Sequence, residues 1–218
     1  MSELKKSDAQ LAKPRERKSV IYTILLPLVR FLFRTLLPVQ YHGLDNVGDM
    51  EAPFILMGNH TTMMDPVLLA AALPREQIRF VGKKELWRSK PFAWFARELK
   101  AIPVDRHNTD MEAMRACMRV VREGHVLGIF PEGTRYHEGL MTELESGVAV
   151  IALRAKVPLV PVYISGKLRL FRKLHVYVGK PIRMDDLREM GINTESCGLL
   201  LGRITEAYAA LDAARPET

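Results

Sequence analysis

His60 and Asp65 stand five residues apart in His-Thr-Thr-Met-Met-Asp-Pro, and an imidazole beside a carboxylate is the pair that proton abstraction from a hydroxyl requires. In a continuous helix that spacing turns the two side chains about 140° apart, so a turn must bring them together. Asp65 before Pro66 reads as a helix N-cap with proline at the first helical position, ending the turn where the carboxylate reaches back to the ring. A carboxylate on one ring nitrogen fixes the tautomer and steadies the cation formed when the other nitrogen takes a proton.

A second polar turn, Pro131-Glu132-Gly133-Thr134-Arg135, follows an apolar run. Proline and glycine bracket Glu132 so that backbone N–H groups, the Thr134 hydroxyl and the Arg135 guanidinium face one place, a set suited to an oxyanion such as phosphate. Lys83 and Arg106 each follow an extended apolar stretch as well, and taken singly each reads as a solvated charge. Gly-x-Ser-x-Gly does not occur. Cys117 falls in a helical stretch with no base beside it in sequence, Cys197 forms no close pair with it, and no metal-ligand spacing is present.

The elements that position these turns follow from apolar periodicity. Residues 53–57, 79–82, 126–130, 157–164 and 175–178 read as strands, and 66–73, 109–124, 146–156 and 194–214 as helices. Thr109 and Glu112 have the spacing of a capping box, and Gly124 suits the far end of that helix. Alternation of strand and helix predicts an α/β fold with a mixed, largely parallel sheet flanked by helices. His60 and Glu132 both follow strands, and in open sheets of this class ligands bind beyond the carboxyl ends of strands.

The 218 residues, 48% of them hydrophobic, suffice for a single packed core with a short appendage and exclude a multidomain machine. The net charge of +7 favours an anionic partner: phosphate, nucleic acid or a negative membrane leaflet. With 7% aromatics, no strand of the RNA-binding type and no helix-turn-helix pattern, nucleic acid is not expected. Residues 1–19 are polar and basic, whereas 20–39 are apolar and long enough for a bilayer core. Arg30 and Arg34 each cost about 2.5–3.5 kcal/mol on insertion scales and nearly cancel the apolar gain. Thr23, Pro27, Arg30 and Arg34 share one narrow helical stripe, which favours a helix lying in the membrane interface. A true span and a helix packed on the domain core are the alternatives. The chain therefore divides into a basic tail with an apolar membrane-associated helix, residues 1–39, and a catalytic domain, residues 40–218.

Asn-His-Thr-Thr-Met-Met-Asp (59–65), Ala-Ile-Pro-Val-Asp-Arg (101–106), Phe-Pro-Glu-Gly-Thr-Arg (130–135) and Val-Pro-Leu-Val-Pro-Val (157–162) resemble, in order and separation, the four motifs of the 1-acyl-sn-glycerol-3-phosphate acyltransferase family. Gly-Lys-Lys-Glu-Leu (82–86) resembles a further block, and the similarity extends over about residues 40–182. The resemblance implies acyl transfer from a thioester to the sn-2 hydroxyl of lysophosphatidate, giving phosphatidate. It implies His60 as general base with Asp65 orienting it, Arg135, Arg106 and Lys83 as a phosphate clamp, and Glu132, Gly133 and Thr134 shaping the acceptor loop. Pro161 would wall the pocket. The thioester, of coenzyme A or acyl carrier protein, is a co-substrate, and neither cofactor nor metal is implied. A thioester beside a deprotonated hydroxyl needs no covalent enzyme intermediate. The partners implied are the phospholipid surface, lysophosphatidate and the acyl donor, at the cytoplasmic face of the cell membrane. A different lysolipid acceptor, or a lipid-binding relative without turnover, would carry the same motifs.

Overall fold

Short apolar runs become the strands of one sheet in the computed structural model, which describes residues 19–104, 111–131, 144 and 146–215. The strands are β1 (Val39–His42), β2 (Ile55–Gly58), β3 (Arg79–Lys83), β4 (Ile102–Val104), β5 (Leu127–Ile129), β6 (Leu159–Ile164) and β7 (Leu174–Val178), in the order β1-β7-β6-β2-β5-β3-β4. Neighbours run parallel throughout except β6 and β7, which form an antiparallel hairpin. The helices are α1 (Leu26–Thr35), α2 (Asp45–Gly48), α3 (Asp65–Ala72), α4 (Lys90–Glu98), α5 (Met111–Arg122), α6 (Ser146–Ala155), α7 (Asp185–Glu189) and α8 (Thr194–Ala213).

β2 and β6 are buried at every position because helices cover both faces of the sheet. The period of two divides their side chains between two cores. Phe54 and Leu56 enter one with Leu68 and Leu69 of α3 and with Leu26 and Phe33 of α1. Ile55 and Met57 enter the other with Val120 and Val121 of α5, Ala149 and Ala152 of α6, and Leu200, Ile204 and Tyr208 of α8. Gly124, at φ +79°, follows α5 as its spacing predicted. Thr109 of the expected capping box lies outside the described residues.

The apolar segment 20–39 is not one helix. A π-helical turn, Ile21–Leu25, leads into α1, which ends at Thr35, and Val39 already belongs to the edge strand β1. Pro38 explains the break, since it has no N–H to continue a helix and disfavours helical geometry at Leu37. Tyr22, Leu26, Val29 and Phe33, at helical spacing, pack this segment onto the core shared with β2, and the Tyr22 hydroxyl accepts from the Ile78 amide at 3.1 Å. Among the described residues no helix is long and apolar enough to cross a membrane. Val20, Ile24, Leu28 and Phe31 point outward, exposed, beside Arg30 and Arg34.

Candidate active site

The site is built where β2 ends. An added Cβ at Gly58 would sit 3.2 Å from both Leu69 Cδ2 and Phe130 Cε1, so the strand closes tightly against α3 and the end of β5. Asn59, buried, then clamps the neighbouring strand: its Nδ2 donates to the Ile164 carbonyl oxygen at 3.0 Å, and its Oδ1 accepts from the Ile164 amide at 2.7 Å. The side-chain amide thus satisfies the last backbone groups of β6, beyond the point where the β2–β6 ladder stops at Gly58 and Val162. From behind, the Tyr208 hydroxyl of α8 donates to the Met57 carbonyl oxygen at 2.5 Å. The residue before His60 is therefore held by β6, and the strand leading to it is held by α8.

The polypeptide turns through residues 61–64 and returns Asp65 to His60. Asp65 is fully buried and accepts four hydrogen bonds: from His60 Nδ1 at 2.9 Å, the Thr61 amide at 2.6 Å, the Thr62 amide at 2.7 Å and the Thr62 hydroxyl at 2.7 Å. Such a set is what an ionised carboxylate needs to stay charged away from water. The expected N-cap assignment is corrected here. Met64 occupies the N-cap, and Asp65 begins α3 with its carboxylate turned back onto the Thr61 and Thr62 amides instead of forward onto its own helix. With the carboxylate on Nδ1, the proton belongs on that nitrogen and the lone pair on Nε2.

The imidazole is fixed on a third side. Its ring stacks on Phe130 with centroids 4.4 Å apart and planes inclined by 26°, and Phe130 stacks in turn on Phe80 of β3 at 5.9 Å. The His60 side chain keeps 19% of its surface open, enough for a substrate hydroxyl to reach it. A histidine with an orienting carboxylate, a ring wall and a solvent opening is organised to take a proton from a hydroxyl. Cys117 is not organised as a nucleophile: it is buried in α5 on the opposite face of the sheet, and burial pushes its thiol up to about 12.

The structure unites His60 and Asp65 of the residues singled out from sequence. Lys83 is the last residue of β3, with its backbone paired to Val104 at the end of β4. Arg106, Glu132, Gly133, Thr134 and Arg135 lie outside the described residues, although the strands leading to them, β4 and β5, run parallel to β2 and end at the same edge of the sheet. Pro161 is buried in β6 opposite Gly179, whose added Cβ would meet its ring at 2.8 Å. That ring shares a face with Leu211 of α8, away from Phe130. Asn59 and Phe130, both inside motifs noted above, carry positioning roles that sequence reasoning left unassigned.

Comparison with known proteins adds a family. A family model described as acyltransferase matches residues 38–165. The 1-acyl-sn-glycerol-3-phosphate acyltransferase of Streptococcus pneumoniae is 30% identical over 207 residues, covering 92% of this chain and 76% of its own. The protein of the same name from Bacillus subtilis is 32% identical over 146 residues, 64% of this chain and 72% of its own. The crystal structure of the 1-acyl-sn-glycerophosphate acyltransferase PlsC from Thermotoga maritima shares the fold, with a TM-score of 0.68 at 23% identity over 91% of this chain and 80% of that one.

Proposed function

The chain belongs to the acyltransferase family and is an acyltransferase of the glycerolipid kind, and from that premise we propose that it moves a fatty acyl group from a thioester to the sn-2 hydroxyl of 1-acyl-sn-glycerol-3-phosphate, giving phosphatidate. The observation that carries the reading is the 2.9 Å contact between His60 Nδ1 and the buried Asp65 carboxylate. His60 Nε2 takes the hydroxyl proton as the oxygen attacks the thioester carbonyl carbon. The tetrahedral intermediate then breaks its C–S bond, and the departing sulfur receives the proton that His60 holds. One ester and one thiol result, with histidine restored. Asp65 keeps the tautomer and stabilises the imidazolium between the two transfers.

The acceptor phosphate is assigned to Arg135, Arg106 and Lys83, with Glu132, Gly133 and Thr134 shaping the loop around it. What supports the assignment is the convergence of β2, β3, β4 and β5 at one sheet edge. Pro161 acts at one remove, through the β6 backbone paired with Met57. The thioester of coenzyme A or acyl carrier protein is the co-substrate and no cofactor takes part. The enzyme works at the cytoplasmic face of the cell membrane, with the outward apolar line of α1 lying in the interface; an amphipathic helix bearing arginines beside that line supports this.

The test is an acceptor panel. Purified protein with one acyl thioester should acylate lysophosphatidate at least tenfold faster, in kcat/KM, than lysolipids with choline, ethanolamine or glycerol added to the phosphate. Equal rates across the panel would overturn the phosphate-monoester assignment.

A further inference from the structure

The β6–β7 hairpin ends in a tip that no step of acyl transfer uses. Residues 165–173 read Ser-Gly-Lys-Leu-Arg-Leu-Phe-Arg-Lys, with four cations, Lys167, Arg169, Arg172 and Lys173, and no acid. At its apex Leu170 is 64% and Phe171 73% exposed, and the turn is closed by an Arg169–Arg172 bridge. Phe171 holds φ +57°, a left-handed conformation that suits glycine and burdens an aromatic residue. A bulky ring kept there in water, where it packs on nothing that rewards it, points to a role outside the fold.

Its position says where that role lies. The Phe171 amide donates to the Leu36 carbonyl oxygen at 2.9 Å, and the Leu174 amide to that of Pro38 at 2.9 Å, so the tip stands beside the end of α1. There it adjoins the end of a helix that exposes Leu28 and Phe31, with Arg30 and Arg34 on the same helix. At its other end the hairpin springs from Ile164, the residue clamped by Asn59 next to His60. β6 runs parallel to β2, so the tip leaves the sheet from the edge at which His60 stands.

We propose that the tip at residues 167–173 is a second foot, separate from α1, that docks on an anionic bilayer: Leu170 and Phe171 enter the interface while Lys167, Arg169, Arg172 and Lys173 meet lipid phosphates. The proposal rests on the membrane-surface reading above and extends it to a segment of opposite chain location. Apolar residues at the apex with cations behind them match a bilayer, whose apolar interior lies beneath its charge. An acidic protein would instead call for the cations at the apex. The helical segment starts beside Ile78, at the amino end of β3, and its carboxyl end meets the tip at the edge where His60 stands, so the two feet together hold the opening at His60 level with the acyl chains of the substrates.

The experiment is sedimentation of the full chain with vesicles of phosphatidylcholine alone and of phosphatidylcholine with phosphatidylglycerol, alongside turnover of a monodisperse short-chain acceptor. The variants are Leu170→Ser with Phe171→Ser, and Lys167, Arg169, Arg172 and Lys173 all replaced by Gln. The fourfold Gln variant should lose on the order of 1,000-fold in affinity for anionic vesicles and little for neutral ones. The Ser pair should weaken binding to both. Each should turn over the dispersed acceptor as wild type does, which also shows that it has folded. Wild-type binding by both variants overturns the proposal, as does a loss by the Gln variant that is no larger on anionic than on neutral vesicles. Failure of the acyl-transfer reading would look different: no turnover of dispersed acceptor by wild type, with vesicle binding intact.

Discussion

Asn59 and Ile164, 105 positions apart in the chain, hold each other by two hydrogen bonds, the Asn59 amide nitrogen donating to the Ile164 carbonyl oxygen at 3.0 Å and the Ile164 amide donating back at 2.7 Å. This reciprocal pair ties the end of β2 to the end of β6 immediately before His60. Replacing Asn59 with Ala leaves both Ile164 groups buried and unsatisfied. The expected loss is about 2–4 kcal/mol, read from urea unfolding, and kcat should fall as well because His60 loses its anchored neighbour. A variant of unchanged stability would mean that the clamp contributes nothing net.

Phe130 is the wall against which the imidazole rests, at 4.4 Å between centroids. Phe130→Leu stays apolar but removes the flat surface, so the ring gains freedom about its Asp65 contact. kcat should drop roughly tenfold to a hundredfold, with acceptor KM within twofold and a stability cost of about 1–2 kcal/mol. A change in KM alone would make Phe130 part of substrate binding instead.

The base of the hairpin predicts a pH dependence. His42 Nε2 and His175 Nδ1 lie 3.0 Å apart, and the His175 ring is held below the ordinary histidine range by burial first, then by His42 and Lys173. Tyr177, stacked between strands on His42, faces the same pair. A lowered value means that the unfolded chain binds the proton more readily, so stability is full above about 6.5 and declines as pH falls through that value toward the folded one. Melting temperature should therefore fall between pH 7.5 and 5.5, and His175→Gln should flatten the profile. A wild-type slope retained in His175→Gln would assign the effect elsewhere.

The contrast between what the sequence reveals and what it conceals has physical causes. His60 and Asp65 are separated by one turn, so the need for a turn and the carboxylate's role could be reasoned locally. The direction in which Asp65 spends its hydrogen bonds could not, because capping its own helix and bonding the Thr61 and Thr62 amides are both available to an aspartate before proline. β1 was hidden inside an apolar run, where Pro38 is the mark of its start. α4, with Pro91 in its first turn, escaped because Trp94 and Phe92 lie exposed and blur its amphipathic pattern. Asn59 with Ile164, and His60 with Phe130, meet only through strand order, which no periodicity within one strand encodes.

The most direct measurement of the central claim is single-turnover acyl transfer to dispersed lysophosphatidate by wild type, His60→Ala and Asp65→Asn, with unfolding followed in parallel. His60→Ala should lose about 10²–10⁴ in rate while remaining folded and bound to vesicles, since the ring is partly exposed and its neighbours Asn59 and Asp65 keep their backbone contacts. Asp65→Asn should lose a comparable factor, up to about 10⁴, because the amide donates to Nδ1 and so places the proton on Nε2, the nitrogen that must offer its lone pair. A His60→Ala enzyme that transfers acyl groups within about tenfold of the wild-type rate, well short of what a general base supplies, would contradict the account.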